Sequence, residues 1–135
     1  MRSAFLCHVW NKGPYVYKAV AGMLSQTVPC DIYISDVGST DDTLIEVDRA
    51  ISTAPRGAEH RVTILKCPLE ARPTIQSMNE HIMWAVKEIH ARDYYEWIFE
   101  SSADDYSLPD RVKVCLEAAA EHECSAVATT QYFAE

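Results

Sequence analysis

Asp104 and Asp105 stand side by side directly behind an apolar, aromatic run, in "YYEWIFESSADDYSLPDRV". Adjacent carboxylates repel each other, and a strand end offers neither of them a counter-charge. A divalent cation supplies one: Mg²⁺ or Mn²⁺ takes one or two protein carboxylates, while water and phosphate oxygens complete the octahedron. The same residues also suit a solvated loop whose aspartates cap a helix beginning near Pro109, and for the dipeptide alone that is the commoner case. In "SDVGSTDDT", Asp36 closes an apolar run where it can accept hydrogen bonds from a base or a ribose. Gly38 permits a tight turn whose N–H groups face a ligand. A capped strand-to-helix turn explains Ser39 to Thr43 equally well, but gives Asp36 no role. "CHVWNKGPY" carries Trp10, a stacking surface for a flat base or a packing residue, with His8 and Asn11 able to bond its edge or its phosphates. Arg72, in "LEARPTIQSMN", is a phosphate or base contact or a plain surface arginine. His81 reads as part of a helix and receives no role. His122 and Cys124 lack a second pair at a zinc-site spacing.

The elements that must position these residues alternate between short β-like runs and longer helical ones. "SAFLCHVW" reads as a buried first strand. Gly13 and Pro14 open a helix with Val16, Ala19, Val20, Met23 and Leu24 on one face. "DIYIS" is a second strand, followed by a helix that Ser39 or Thr40 caps, with Asp41 and Asp42 in its first turn and Leu44, Val47 and Ile51 as its stripe. "RVTILKC" is a third strand. A long helix from Thr74 to His90 is expected to bury Ile75, Met78, Ile82, Ala85, Val86 and Ile89. "YYEWIFE" is the fourth strand; a helix from Ser107 or Pro109 carries Val112, Cys115, Leu116 and Ala119; and "SAVATTQYF" is a last strand. This rhythm implies right-handed crossovers and an α/β fold in three layers, α/β/α, around a mostly parallel sheet. Ligands in such folds sit beyond the carboxyl ends of the strands, where His8, Trp10, Asn11, Asp36, Asp104 and Asp105 all fall.

The totals narrow the partners. The 135 residues suit a single domain spanning 1–135 with its own core. Twenty acidic against twelve basic side chains, a formal charge of −8, argue against a nucleic-acid polymer. They leave room for a nucleotide, whose few phosphates one divalent ion can neutralise. No run is long enough to span a bilayer and no signal-peptide pattern opens the chain. Five widely spaced cysteines without a CxxC pair read as reduced, mostly buried thiols of a cytoplasmic protein.

Together these phrases resemble the family 2 glycosyltransferases, whose nucleotide-sugar-binding half has the GT-A, Rossmann-like fold. That family pairs a Tyr-Asn strand end with a helix closing in Leu-Ser-Gln-Thr, against "VWNKGPYVYKAVAGMLSQT" here. Its second strand ends in Asp-Asp-Gly-Ser-x-Asp-x-Thr, against "SDVGSTDDT". Its third helix carries an Asn and, six residues on, an Ala, as Asn79 and Ala85 do. An Asp-rich metal motif followed by Pro-Asp-Arg matches "SADDYSLPDRV". The resemblance implies that Asp105, with Asp104, coordinates Mn²⁺ or Mg²⁺ on a donor diphosphate, Asp104 also facing the ribose or sugar. It implies that His8 and Trp10 flank the base beside Asn11, that Asp36 holds the base, and that Arg72 reaches base or diphosphate. The implied donor is a UDP-sugar, or a GDP- or dTDP-sugar, whose sugar passes to a hydroxyl acceptor with inversion.

Three departures accompany it. Val37 replaces the second base-binding aspartate, and Ser102 replaces the first aspartate of the commoner Asp-x-Asp motif. The family's catalytic domain is nearly twice as long, and no residue here matches the carboxylate that deprotonates the acceptor. The expectation is therefore a donor half whose acceptor side a partner chain or a homo-oligomer completes, with a non-catalytic nucleotide-sugar-binding module as the alternative.

Overall fold

The computed structural model describes residues 2–128. Four strands, β1 (Ser3–Val9), β2 (Asp31–Asp36), β3 (Val62–Lys66) and β4 (Trp97–Glu100), form one sheet in the order β3-β2-β1-β4. Every neighbouring pair is parallel, with Leu6 beside Tyr33, Ile34 beside Ile64 and Phe5 beside Phe99. Among the described residues four α-helices connect or follow them, α1 (Gly13–Leu24), α2 (Thr43–Thr53), α3 (Ile75–Arg92) and α4 (Arg111–His122), with a short 3-10 turn at Ala58–Arg61 before β3.

Alternation along the central strands builds a core on each face of the sheet. Phe5, Cys7 and Val9 of β1 and Ile32 and Ile34 of β2 pack with Val16, Val20 and Met23 of α1, Val47 of α2, and Val112 and Cys115 of α4. Ala4, Leu6, Tyr33 and Leu65 turn the other way, onto Ala85 and Ile89 of α3. The result is the three-layer α/β/α arrangement the sequence leads one to expect. A parallel sheet covered on both sides needs near-continuous apolar strands, which is why β1 reads as one. All five expected face residues of α1 are buried.

Three expectations are corrected. Neither Ser39 nor Thr40 caps α2, which starts later, at Thr43. The Asp41 carboxylate, outside the helix, accepts from the Thr43 N–H (2.9 Å) and the Thr43 hydroxyl. α3 is also rotated from the expected phase, because Ser77, His81, Ala85 and Ile89 form its buried line while Ile75 and Met78 are exposed. Ser77 and His81 can be buried because they are hydrogen-bonded. Ser77 Oγ lies 3.3 Å from His81 Nε2, which lies 2.9 Å from the Glu70 carbonyl oxygen. Residues 125–128 of the expected last strand carry no strand, and the remainder of "SAVATTQYF" lies outside the described residues.

Candidate functional site

At the carboxyl ends of β1 and β4 a cleft of about 350 Å³ opens between the sheet and the start of α3. The β1–α1 turn supplies His8, Trp10 and Lys12; Val37 comes from the end of β2. Arg72, Thr74, Ile75, Met78 and His81 form the α3 side, and Ser102, Ala103 and Asp104 close the cleft from the loop after β4. Four of the residues expected from sequence, His8, Trp10, Arg72 and Asp104, are thus gathered from three separate segments. Asn11, Asp36 and Asp105 stand beside the cleft and are not among its lining residues.

Asn11 and Asp36 hold the cleft's rim together. Asn11 has a left-handed backbone (φ 50°). Its N–H donates to Ser39 Oγ (3.0 Å) and its Oδ1 accepts from the Thr40 N–H (2.8 Å). Asp36, almost wholly buried, accepts from the Ser39 N–H through Oδ1 at 3.2 Å. Asp41 Oδ2 accepts from the Gly13 N–H (3.0 Å), and Thr43 Oγ1 accepts from the Lys12 N–H (2.8 Å). The "GSTDDT" phrase is therefore a weld between the loops after β1 and β2, and the N–H groups of Ser39, Thr40 and Thr43 go to protein acceptors. Hydrogen bonding by the Thr43 hydroxyl and the Gly13 and Thr43 N–H groups holds the Asp41 carboxyl below its usual range against a smaller opposing effect of burial.

The loop carrying Asp104 and Asp105 is pinned in the same manner. The buried Gln26 side chain donates through Nε2 to the Gly22 and Leu108 carbonyls (2.9 and 2.8 Å) and accepts from the Val112 N–H through Oε1 (3.0 Å). The Thr27 N–H donates to the Pro109 carbonyl at 2.9 Å. Arg111 Nη1 reaches Ser107 Oγ (3.0 Å) and Nη2 the Glu100 carbonyl (3.1 Å). "SQT" at the end of α1 and "LPDRV" at the start of α4 are thus partners in space.

His8 projects to the α3 side of the sheet. Burial pushes its imidazole below the ordinary value, while Glu100, whose Oε1 lies 3.7 Å from Nδ1, pulls it back up. That separation is too long for a hydrogen bond, and Nδ1 has no such partner among the described residues. Trp10 is partly exposed at the mouth. Arg72 pairs with Glu70 at 3.0 Å, both in solvent. Lys12 Nζ lies 3.4 Å from Asp104 Oδ2.

Two titratable lining residues, Lys12 and His81, escaped the sequence reading. Lys12 follows Trp10 and Asn11 directly, and its place in that phrase was the available signal. His81 lies four residues beyond Ser77 and four before Ala85, a spacing that would have put it on the buried line.

No group of three or more His, Cys, Asp or Glu side chains among the described residues is arranged to hold a metal ion alone. The donor set still suits Mg²⁺ or Mn²⁺, which accept one or two carboxylates and take their remaining oxygens from water and phosphate. Asp104, in the cleft wall, is such a carboxylate, and Asp105 adjoins it.

A parallel sheet in this strand order, with its cleft at the carboxyl ends of β1 and β4, is the GT-A, Rossmann-like arrangement. The chain belongs to family 2 of the glycosyl transferases, whose family model matches residues 7–135. S. aureus TarS 1–349 in complex with UDP-GlcNAc superposes with a TM-score of 0.67 at 17% identity, over 91% of this chain and 32% of that one. The mannosyltransferase PcManGT from Pyrobaculum calidifontis, in complex with GDP-Man and Mn²⁺, gives 0.67 at 18% identity, over 88% and 32%. The M. tuberculosis glucosyl-3-phosphoglycerate synthase in complex with Mn²⁺, UDP and glucosyl-3-phosphoglycerate gives 0.56 at 12% identity, over 86% and 38%. The likeness at these identities is one of fold, and the chain spans about a third of the length of these structures. No curated protein matches the sequence. No helix among the described residues is long and apolar enough to cross a membrane.

Proposed function

We propose that the protein binds a nucleoside diphosphate sugar together with Mn²⁺ or Mg²⁺ in the cleft between β1, β4 and α3, as the donor half of an inverting glycosyltransferase. The observation that carries this reading is the meeting of Trp10, Lys12, Arg72 and Asp104 around one cleft in a chain of family 2. Trp10 offers a face to the base, Lys12 and Arg72 offer charge to the diphosphate, and Asp104 and Asp105 are the carboxylates for the cation. A bound divalent cation would neutralise the diphosphate and so favour its departure from the anomeric carbon. In the transfer itself an acceptor hydroxyl forms the new bond to that carbon, the bond to the diphosphate breaks, and the hydroxyl proton leaves to a base. UDP-sugars come first as donors, with GDP- and dTDP-sugars as the alternatives.

Val37 supports a second reading. It is buried in the cleft wall at the position of the family's second base-binding aspartate, where a methyl-bearing side chain cannot accept a hydrogen bond from the base. That loss weakens recognition of the base, as expected of a non-catalytic nucleotide-sugar-binding or interaction module derived from a glycosyltransferase. One set of measurements tests both. Thermal unfolding with UDP-, GDP- and dTDP-sugars, each with and without Mn²⁺, should show stabilisation of about 2.7 kcal/mol at roughly a hundred times the dissociation constant. Asp105→Ala should remove the metal-dependent part. Absence of a shift with every nucleotide would overturn donor binding in either form. Slow Mn²⁺-dependent hydrolysis of the donor would separate an enzyme from a binder.

A further inference from the structure

The two cationic side chains lining the cleft differ in what holds them. Arg72 is paired with Glu70, which is not a lining residue, so a ligand can use the guanidinium without disturbing the cleft. Lys12 is paired with Asp104, and both partners line the cleft. The root of Lys12 is fixed. Its N–H donates to Thr43 Oγ1 at 2.8 Å, and its carbonyl oxygen accepts the Tyr15 and Val16 N–H groups at 3.0 and 2.9 Å, opening α1. Only the flexible stem and ammonium are free to move, and the side chain is partly exposed at 38%. An ammonium on a four-carbon stem is a compact, mobile charge, suited to exchange between two anions.

Resting on the donor-binding reading, we infer that Lys12 is an exchangeable counter-ion of the cation-binding carboxylate. It occupies Asp104 while the cleft is empty and passes to the donor's diphosphate when a divalent cation takes the carboxylate. Each ligand alone satisfies one half of the pair and strands the other half. A metal ion by itself must displace the ammonium from Asp104, and a diphosphate by itself must draw Lys12 away and leave Asp104 bare. Cation and diphosphate arriving together satisfy both groups, so Lys12 couples the two binding events. The coupling is reciprocal, because whatever the diphosphate does to cation affinity the cation does to diphosphate affinity. The exchange costs little, since a solvent-exposed ion pair is weak.

The test is one of sign. Binding of Mn²⁺ alone is followed through the loss of the free-ion electron paramagnetic resonance signal, and binding of UDP and GDP, with and without Mn²⁺, by calorimetry. Lys12→Gln should bind Mn²⁺ alone about two- to fivefold more tightly, the reach of an exposed ion pair. The same variant should bind metal-free UDP or GDP about tenfold more weakly, as expected for a lost charge-assisted contact. Asp104→Asn should do the reverse, weakening Mn²⁺ and strengthening the metal-free nucleotide. Lys12→Arg keeps the charge and should leave Mn²⁺ binding close to that of the unaltered chain, which rules out a merely structural effect. Unchanged or weaker Mn²⁺ binding by Lys12→Gln, in a protein that still takes up nucleotide through Asp105, overturns the exchange and leaves the donor site standing. If the unaltered protein takes up neither Mn²⁺ nor nucleotide, the donor-binding reading falls and the exchange falls with it.

Discussion

Asn11 illustrates how a residue with ligand-like chemistry can serve the site by holding its walls. Its amide side chain was expected to face a base or a phosphate. Its Oδ1 receives the Thr40 N–H, while its own backbone N–H goes to Ser39. Two costs meet at this position. The left-handed backbone disfavours any side chain with a Cβ other than asparagine or aspartate by about 1 kcal/mol. A lost hydrogen bond adds about 1 kcal/mol. Asn11→Ala should therefore lower stability by about 2 kcal/mol, and Asn11→Gly, which relieves the backbone cost, by about half of that. Chemical denaturation of the two variants checks the difference. Equal losses would mean that the left-handed backbone contributes nothing, and no loss in either would mean that the weld between the two loops is unimportant.

At the scale of elements, the apolar residues of the strands and of α1 were legible because burial on both faces of a parallel sheet leaves a continuous signature. The phase of α3 was not. Its buried line includes Ser77 and His81, whose polarity hid them, and the cleft exposes Ile75 and Met78, whose hydrophobicity suggested a core. The cleft leaves apolar side chains exposed on α3, while hydrogen bonds among Ser77, His81 and the Glu70 carbonyl let polar ones be buried. The α1–α4 contact was also illegible, since it depends on Gln26 reaching residues 82 and 86 positions away in the chain. That contact makes Gly22 a critical position. A Cβ there would lie 2.9 Å from the Ser107 carbonyl oxygen and 3.0 Å from its nitrogen. Alanine normally favours a helix over glycine by about 1 kcal/mol. Here the obstructing atoms are backbone, in a segment held by Arg111, so relief requires moving the loop of Asp104 and Asp105. Overpacking of about 1–3 kcal/mol outweighs the propensity gain. Gly22→Ala should accordingly melt at lower temperature and bind Mn²⁺ less tightly, whereas a stabilised variant would show that the α1–α4 contact is loose.

Across the whole molecule, the family was legible because its four phrases are spaced by the fold itself: three close a strand or clasp a neighbouring loop, and the fourth, Asn79 with Ala85, lies within α3. What sequence spacing could not supply was which polar atoms those clasps consume and which are left for a ligand. The five cysteines give this balance a global readout. All are free thiols; Cys7, Cys30, Cys67 and Cys115 are buried, and Cys124 is partly accessible. Burial pushes the Cys7 thiol up to about 12, with Glu100 and Asp104 adding to the shift, and burial likewise raises Cys30, Cys67 and Cys115. The thiolate is the reactive form, so these four are doubly protected, by lack of access and by lack of ionisation. A chromogenic disulfide reagent should therefore modify one thiol rapidly in the native protein and the other four only as the chain opens. Because Cys7 lies in the central strand β1 and Cys115 in α4, on the same core, their labelling reports opening of the sheet and its helical cover together. A ligand that binds only the folded state lowers the open population by the factor 1 + [L]/Kd, so a nucleotide sugar with Mn²⁺ at a hundred times its dissociation constant should slow the four by about a hundredfold. Cys124, outside that core, should keep its rate. Fast labelling of all five would contradict the packed two-sided core, and equal slowing of Cys124 would mean that the reagent, and not the protein, responds to the ligand.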